Sequence, residues 1–139
     1  MTQLLMVDTS VAVPLLVESH QAHGDVSSWA MGRDLRIAGH ALAETYSVLT
    51  RLPGVARVAA SDAVALIDAN FGETLVPSAT AAREVHRELA ERGIAGGATY
   101  DGLVALAARE HDAVLVTRDA RARSTYEAVG VTVAVLLGG

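Results

Sequence analysis

Neither cysteine nor lysine occurs among the 139 residues, and each absence removes a class of chemistry. Without cysteine there is no thiolate nucleophile, no disulfide and no cysteine-ligated metal. Without lysine there is no P-loop phosphate contact and no Schiff base. All 11 basic residues are arginine. No apolar run reaches the roughly 18 residues that cross a bilayer. The start, Met1-Thr2-Gln3-Leu4-Leu5, lacks the basic segment and cleavage site of a secretory signal. The expectation is therefore a cytoplasmic protein without membrane contact. Repeats, low-complexity tracts and linkers are also missing, so residues 1–139 read as a single domain. The net charge of −5 argues against a non-specific nucleic-acid coat. Two divalent cations held by acidic groups would reduce that charge to −1 and let local arginines meet phosphates.

What is present alternates between strand and helix patterns. Gln3 to Val7 reads as a buried strand ending at Asp8. Thr9 or Ser10 can cap a following helix, with Pro14 in its first turn. Further helices are expected at about 20–31, 40–52, 61–70, 78–92, 99–111 and 119–129. The helix at 78–92 should turn Ala82, Val85 and Leu89 to one face and stop at Gly93. Strands are expected at 35–38, 113–116 and 131–135, with at best a short one at Leu75-Val76. Such alternation implies an α/β sandwich around a central, mainly parallel sheet of four to five strands. In sheets of this kind ligands bind beyond the carboxyl ends of the strands.

Four acids fall in places that ordinary patterning leaves unexplained. Asp8 directly follows the first strand; taken alone it reads first as a helix cap. Asp119 follows the strongest strand in Val116-Thr117-Arg118-Asp119, and a cap is again its simplest local role. Ala41, Glu44 and Val48 share a helical face, which sets a carboxylate into an apolar stripe. That is costly unless the charge is paired, wet or bound to metal, and an ion pair with Arg51 or a wet stripe edge are the alternatives. Asp101 lies with Val104, Ala105 and Ala108 on one face, in a first helical turn. The helix dipole explains an acid in that turn but not one aimed at the core. Four converging carboxylates cannot all stay ionised without cations. Oxygen-only ligands select Mg²⁺ or Mn²⁺, as one or two ions. Such ions activate water and stabilise the leaving oxygen of a phosphodiester.

The blocks that carry these acids are Val7-Asp8-Thr9-Ser10, Ala43-Glu44-Thr45-Tyr46-Ser47-Val48-Leu49-Thr50-Arg51-Leu52, Tyr100-Asp101-Gly102-Leu103-Val104-Ala105-Leu106-Ala107 and Val116-Thr117-Arg118-Asp119. In order and spacing they resemble the PIN-domain ribonucleases, specifically the VapC-type toxins of bacterial toxin–antitoxin pairs, over essentially the whole chain. The resemblance implies a PIN fold, a homodimer, and Mg²⁺- or Mn²⁺-dependent cleavage of structured RNA, transfer or ribosomal. It also implies neutralisation by a cognate VapB-type antitoxin. By motif match it carries over Asp8, Glu44, Asp101 and Asp119 as the acidic catalytic and metal-binding set. Ser10 and Thr117 carry over as hydroxyls that orient a carboxylate or a metal-bound water. Arg118, Arg121 and Arg123 form the densest basic cluster and are candidates for RNA contact, with a solvated face as the default reading.

Other residues read as structural. His20 and His23 have a spacing able to hold a metal on a helix, but no further ligand accompanies them. His40, His86 and His111 fall at helix ends or polar faces and read as surface residues. Trp29 and Phe71 read as core or dimer packing. Gly96-Gly97 gives the backbone freedom ahead of Asp101. Two other functions compete. A phosphoryl-accepting receiver also places acids at strand ends, but those known use a lysine, which this chain lacks. A catalytically silent PIN-fold module, binding RNA or a partner, would have no reason to carry all four acids.

Overall fold

The computed structural model describes residues 3–136. Four strands, β1 (Leu5–Val7), β2 (Leu35–Ile37), β3 (Val114–Thr117) and β4 (Val133–Val135), form one parallel sheet in the order β2-β1-β3-β4. Parallel pairing requires a crossover between neighbours, and the intervening helices provide it. Leu5, Met6 and Val7 of β1 lie opposite Val114, Leu115 and Val116 of β3. That register sets Asp8 beside Thr117 at the carboxyl edge of the sheet. Leu75, where a short strand was expected, makes only an isolated parallel bridge to Ala38.

Around the sheet run α1 (Thr9–Leu16), α2 (His23–Ala30), α3 (Gly39–Thr50), α4 (Ala60–Asn70), α5 (Ala79–Arg83), α6 (Val85–Glu91), α7 (Ala98–Glu110) and α8 (Arg123–Val129). Met6, Val7, Val11, Ile37, Leu49, Leu106, Leu115 and Val116 are the heart of the core, each essentially sealed from water. A fully buried side chain of this size contributes about 1.5–3 kcal/mol. In α7 the run Val104 to Ala108 is buried throughout, so this helix lies inside the molecule rather than on it. Trp29 packs against the core and Phe71 is buried in it, as expected.

Four local expectations need correction. Pro14 lies in the second turn of α1, not the first. It cannot donate to the Ser10 carbonyl, and the helix ends two residues later. The single helix expected over 78–92 is two, because Glu84 (φ −105°, ψ 8°) leaves the helical region between α5 and α6. The break rotates Ala82 to the outside while Leu89 stays buried. The last helix begins at Arg123 rather than Asp119, because the Asp119 carboxylate accepts the Arg121 N–H (3.0 Å) and holds a turn ahead of it. The apolar stripe of α3 is Ala41, Thr45 and Leu49, at a spacing of four residues, which puts Glu44 outside it and in solvent.

Candidate active site

Asp8 is the best-fixed acid in the molecule. It is 5% exposed, and its carboxylate accepts four hydrogen bonds. Oδ1 takes the Ser10 N–H (3.1 Å) and the Ser10 hydroxyl (2.6 Å). Oδ2 takes the Thr117 hydroxyl (2.5 Å) and the Tyr126 phenol (2.7 Å). Ser10 and Thr117 each give their only proton to Asp8, and each accepts a backbone N–H in return. Arg118 N–H donates to Ser10 Oγ (2.8 Å), and Asp119 N–H donates to Thr117 Oγ1 (3.0 Å). Both hydroxyls are thereby fixed in direction, and the start of the Arg118–Asp119 loop is tied to Asp8. The Ser10 N–H bond also makes Asp8 the N-cap of α1, so its capping role and its place in the site coexist.

Asp101 enters from the first turn of α7 and Glu44 from the exposed flank of α3. All four acids line one open cavity of about 390 Å³, together with Ser10, Arg118, His20, His40, Tyr100 and Tyr126. Burial, and then the charges of Asp8, Asp119 and Glu44, hold the Asp101 carboxyl above the ordinary carboxylate range. The cavity thus gathers four acids against few cations, Arg118 on its wall and Arg121 beside Asp119. The donors of its four acids are all hard oxygens, although His20 and His40 also line the cavity. Among the described residues, however, no three acidic or histidine side chains converge into a ready-made cage. That arrangement suits a hydrated hard cation: Mg²⁺ keeps several waters and takes one or two carboxylates. On donor chemistry and charge, the residues fit such an ion.

Gly96 sits in the left-handed region (φ +63°), so glycine is required there, whereas Gly97 has an ordinary helical backbone. The basic cluster divides. Arg118 lines the cavity, and its buried Nε has no hydrogen-bond partner. Arg121 is almost fully exposed, with Nε 3.4 Å from Asp119. Arg123 does not line the cavity; it pairs with Glu127 one turn along α8 (3.2 Å). His20 accepts the Ala22 N–H and His23 meets the Pro14 carbonyl, so the two share no ligand site. His40, expected on the surface, lines the cavity instead.

Tyr126 is the site residue that sequence reasoning missed. Burial, the Asp8 charge and the Asp8 hydrogen bond push its phenol far above the usual range, so it is a permanent donor. The one signal in the sequence was a tyrosine on the buried stripe of the last helix, whose hydroxyl had to find a partner.

The model of the PIN domain family matches residues 5–128. The chain is similar to ribonuclease VapC27 of Mycobacterium tuberculosis, at 55% identity over 94% of this chain and 96% of that one. Among solved structures it resembles VapC20 of Mycobacterium tuberculosis, a sarcin–ricin loop cleaving toxin, with TM-score 0.64 and 22% identity over 92% of this chain and 96% of that one. VapBC-5 of the same organism, a member of the VapBC family of toxin–antitoxin systems, matches with TM-score 0.63 and 19% identity over 97% of this chain and all of that one. These two structural likenesses concern the fold.

Proposed function

This chain belongs to the PIN domain family, among the VapC ribonucleases, and from that premise we propose that it is a Mg²⁺- or Mn²⁺-dependent endoribonuclease toxin. The observation that carries this reading is that Asp8, Glu44, Asp101 and Asp119 all line one cavity at the carboxyl edge of a parallel sheet. These four would hold one or two ions. When bound, a hard divalent ion lowers the pKa of a water and offsets charge on the leaving oxygen of a phosphodiester.

The chain's own residues do the positioning. Ser10, Thr117 and Tyr126 hold both oxygens of Asp8 in one orientation before any ligand arrives, and their four bonds fill its usual lone-pair sites, so a bound ion would share a carboxylate oxygen with these donors. Asp119 is brought to the same edge by the backbone bond to Thr117. Glu44, being exposed, is the acid best able to move to meet a water or an ion. Arg118 has guanidinium donors to spare at the cavity wall and suits a phosphate oxygen of the substrate. Arg121 fits an outer phosphate contact, and Arg123 is better explained by Glu127.

The substrate would be structured RNA, transfer or ribosomal, and the regulator a VapB-type antitoxin, as the toxin–antitoxin relatives suggest. A homodimer working in the cytoplasm completes this reading; no helix among the described residues is long and apolar enough to cross a membrane. The test is incubation of purified protein with total RNA in Mg²⁺ or Mn²⁺, with and without EDTA. Cleavage abolished by EDTA and by Asp8→Asn is expected. Metal-independent cleavage, or wild-type rates in Asp8→Asn, would refute the assignment. Absence of Mn²⁺ binding by calorimetry at millimolar metal would favour the silent module.

A further inference from the structure

The rim of the cavity carries a feature that the acid chemistry leaves unused. His40, at the start of α3, and Tyr100, in the first turn of α7, stack with ring centroids 5.1 Å apart and planes 13° from parallel. Both line the cavity. Tyr100 is 56% exposed although it directly precedes Asp101 in a mostly buried helix. With His40 on one face, exposure of that extent leaves the rest of the ring open. The chain has only five aromatic residues, one Trp, three Tyr and one Phe. Tyr126 and Phe71 are buried, Trp29 is covered by Arg33 at 5.2 Å, and Tyr46, 38% exposed, lies outside the cavity, which leaves Tyr100 as the exposed ring that lines it. What sets Tyr100 apart is that it is open, backed by His40 and placed at the acidic cavity.

We propose that the His40–Tyr100 stack is a platform for an unpaired RNA base next to the phosphate that the four carboxylates face. The inference rests on the ribonuclease reading and adds what it lacks, a basis for choosing among RNAs. The acids repel phosphate until cations arrive, so an uncharged contact adds to the hold that Arg118 and Arg121 offer a phosphate. Base–aromatic stacking is such a contact, and it tolerates any base because each has a π-face. A base inside a helical stem has both faces covered by its neighbours, whereas loop bases splay out and stack on aromatic side chains. The platform thus selects looped or single-stranded RNA over stems. Tyr100 and Asp101 are consecutive residues in one helical turn, so the stacked base and the acid keep a fixed relation. His40 acts by backing Tyr100 and is a positioning residue.

The test uses the full chain in Mg²⁺, rapidly mixed with a single-stranded oligoribonucleotide carrying 2-aminopurine, whose fluorescence is quenched on stacking. A second oligonucleotide holds the same base within a hairpin stem. Wild type and Tyr100→Phe are expected to quench the single strand before cleavage and to leave the signal of the stem, already dim because its base is stacked between neighbours, unchanged. Tyr100→Ala should lose the quench and raise KM by about 5- to 150-fold, the range of one base–aromatic stack, with kcat little changed. His40→Ala should lie between. Because Tyr100 is exposed, thermal melting of Tyr100→Ala should match wild type. An unchanged quench and KM in Tyr100→Ala, while wild type cuts RNA, overturns the platform alone. Loss of a dimer in sedimentation with KM unmoved makes the ring a protein contact and also overturns it. A wild-type protein that neither binds nor cuts RNA removes the ribonuclease reading and the platform with it.

Discussion

Replacing Tyr126 by phenylalanine isolates the tether on Asp8. The substitution deletes one oxygen and keeps the ring, so the core around a side chain only 1% exposed keeps its packing. Asp8 falls from four hydrogen bonds to three, keeping those from Ser10 N–H, Ser10 Oγ and Thr117 Oγ1. A hydrogen bond to a charged group contributes about 1.5–3 kcal/mol net. Asp8 is 5% exposed, so little solvent is at hand to replace the phenol. The full range is therefore expected in metal-free protein at pH 7. For a domain of this size that corresponds to a fall in Tm of about 5–10 °C. Urea denaturation in EDTA should show a lower midpoint with an unchanged slope, since the unfolded state is untouched. The same loss of orientation should lower Mn²⁺ affinity or RNA cleavage by about 10- to 100-fold. A Tyr126→Phe protein within about 0.5 kcal/mol of wild type, the range of an incidental surface change, with full metal affinity would show that the phenol does not position Asp8.

Three further outcomes follow from the same geometry. Burial and three like charges disfavour ionised Asp101 in the folded chain, so Asp101→Asn should abolish cleavage yet stabilise the metal-free protein at neutral pH by about 0.5–2 kcal/mol. A raised carboxyl pKa destabilises only above its range, so that gain should vanish in acid; denaturation curves at pH 7 and pH 3 check it. Glu88 is hydrogen-bonded by Arg109 and Arg92, which hold its carboxyl down from an ordinary 4.5 to about 2. Its stabilising effect is complete above 4.5 and disappears as pH falls through about 2. Allowing for its solvent exposure, Glu88→Gln should cost about 1 kcal/mol at pH 7 and nothing at pH 1.5, as followed by urea titration. A methyl at Gly102 would meet the Leu89 side chain at 2.7 Å. Gly102→Ala should therefore be neutral or destabilising alone, but stabilising by up to about 1 kcal/mol in a Leu89→Ala background, where only helix propensity remains; a double-mutant cycle reads this directly.

The layered fold was legible because its signals are local. The continuous apolar runs before Asp8 and around Leu115 became β1 and β3, and the face of Asp101, Val104, Ala105 and Ala108 fell on α7. Asp101 was legible for the same reason, as an acid on a helix face otherwise built of Val and Ala. Glu44 was misjudged because three residues at i, i+3 and i+7 were taken as the stripe. The core, on the side where α3 meets α1 and α7, instead takes Ala41, Thr45 and Leu49, one residue away around the helix. The split at Glu84 and the late start of α8 turn on single backbone conformations that periodicity does not resolve. Tyr126 and the His40–Tyr100 pair stayed hidden for another reason. Their partners lie 118 and 60 positions away along the chain, and only the folded sheet edge brings them together.

The central claim is that the four-acid cavity cuts RNA through bound divalent metal. Cleavage-site mapping across total RNA tests it most directly, with wild type and Asp101→Asn run side by side in Mg²⁺ and each shown to be folded by its melting curve. Discrete cuts by wild type that vanish both with EDTA and in Asp101→Asn are expected. The same cuts at the same rate from Asp101→Asn would contradict the account.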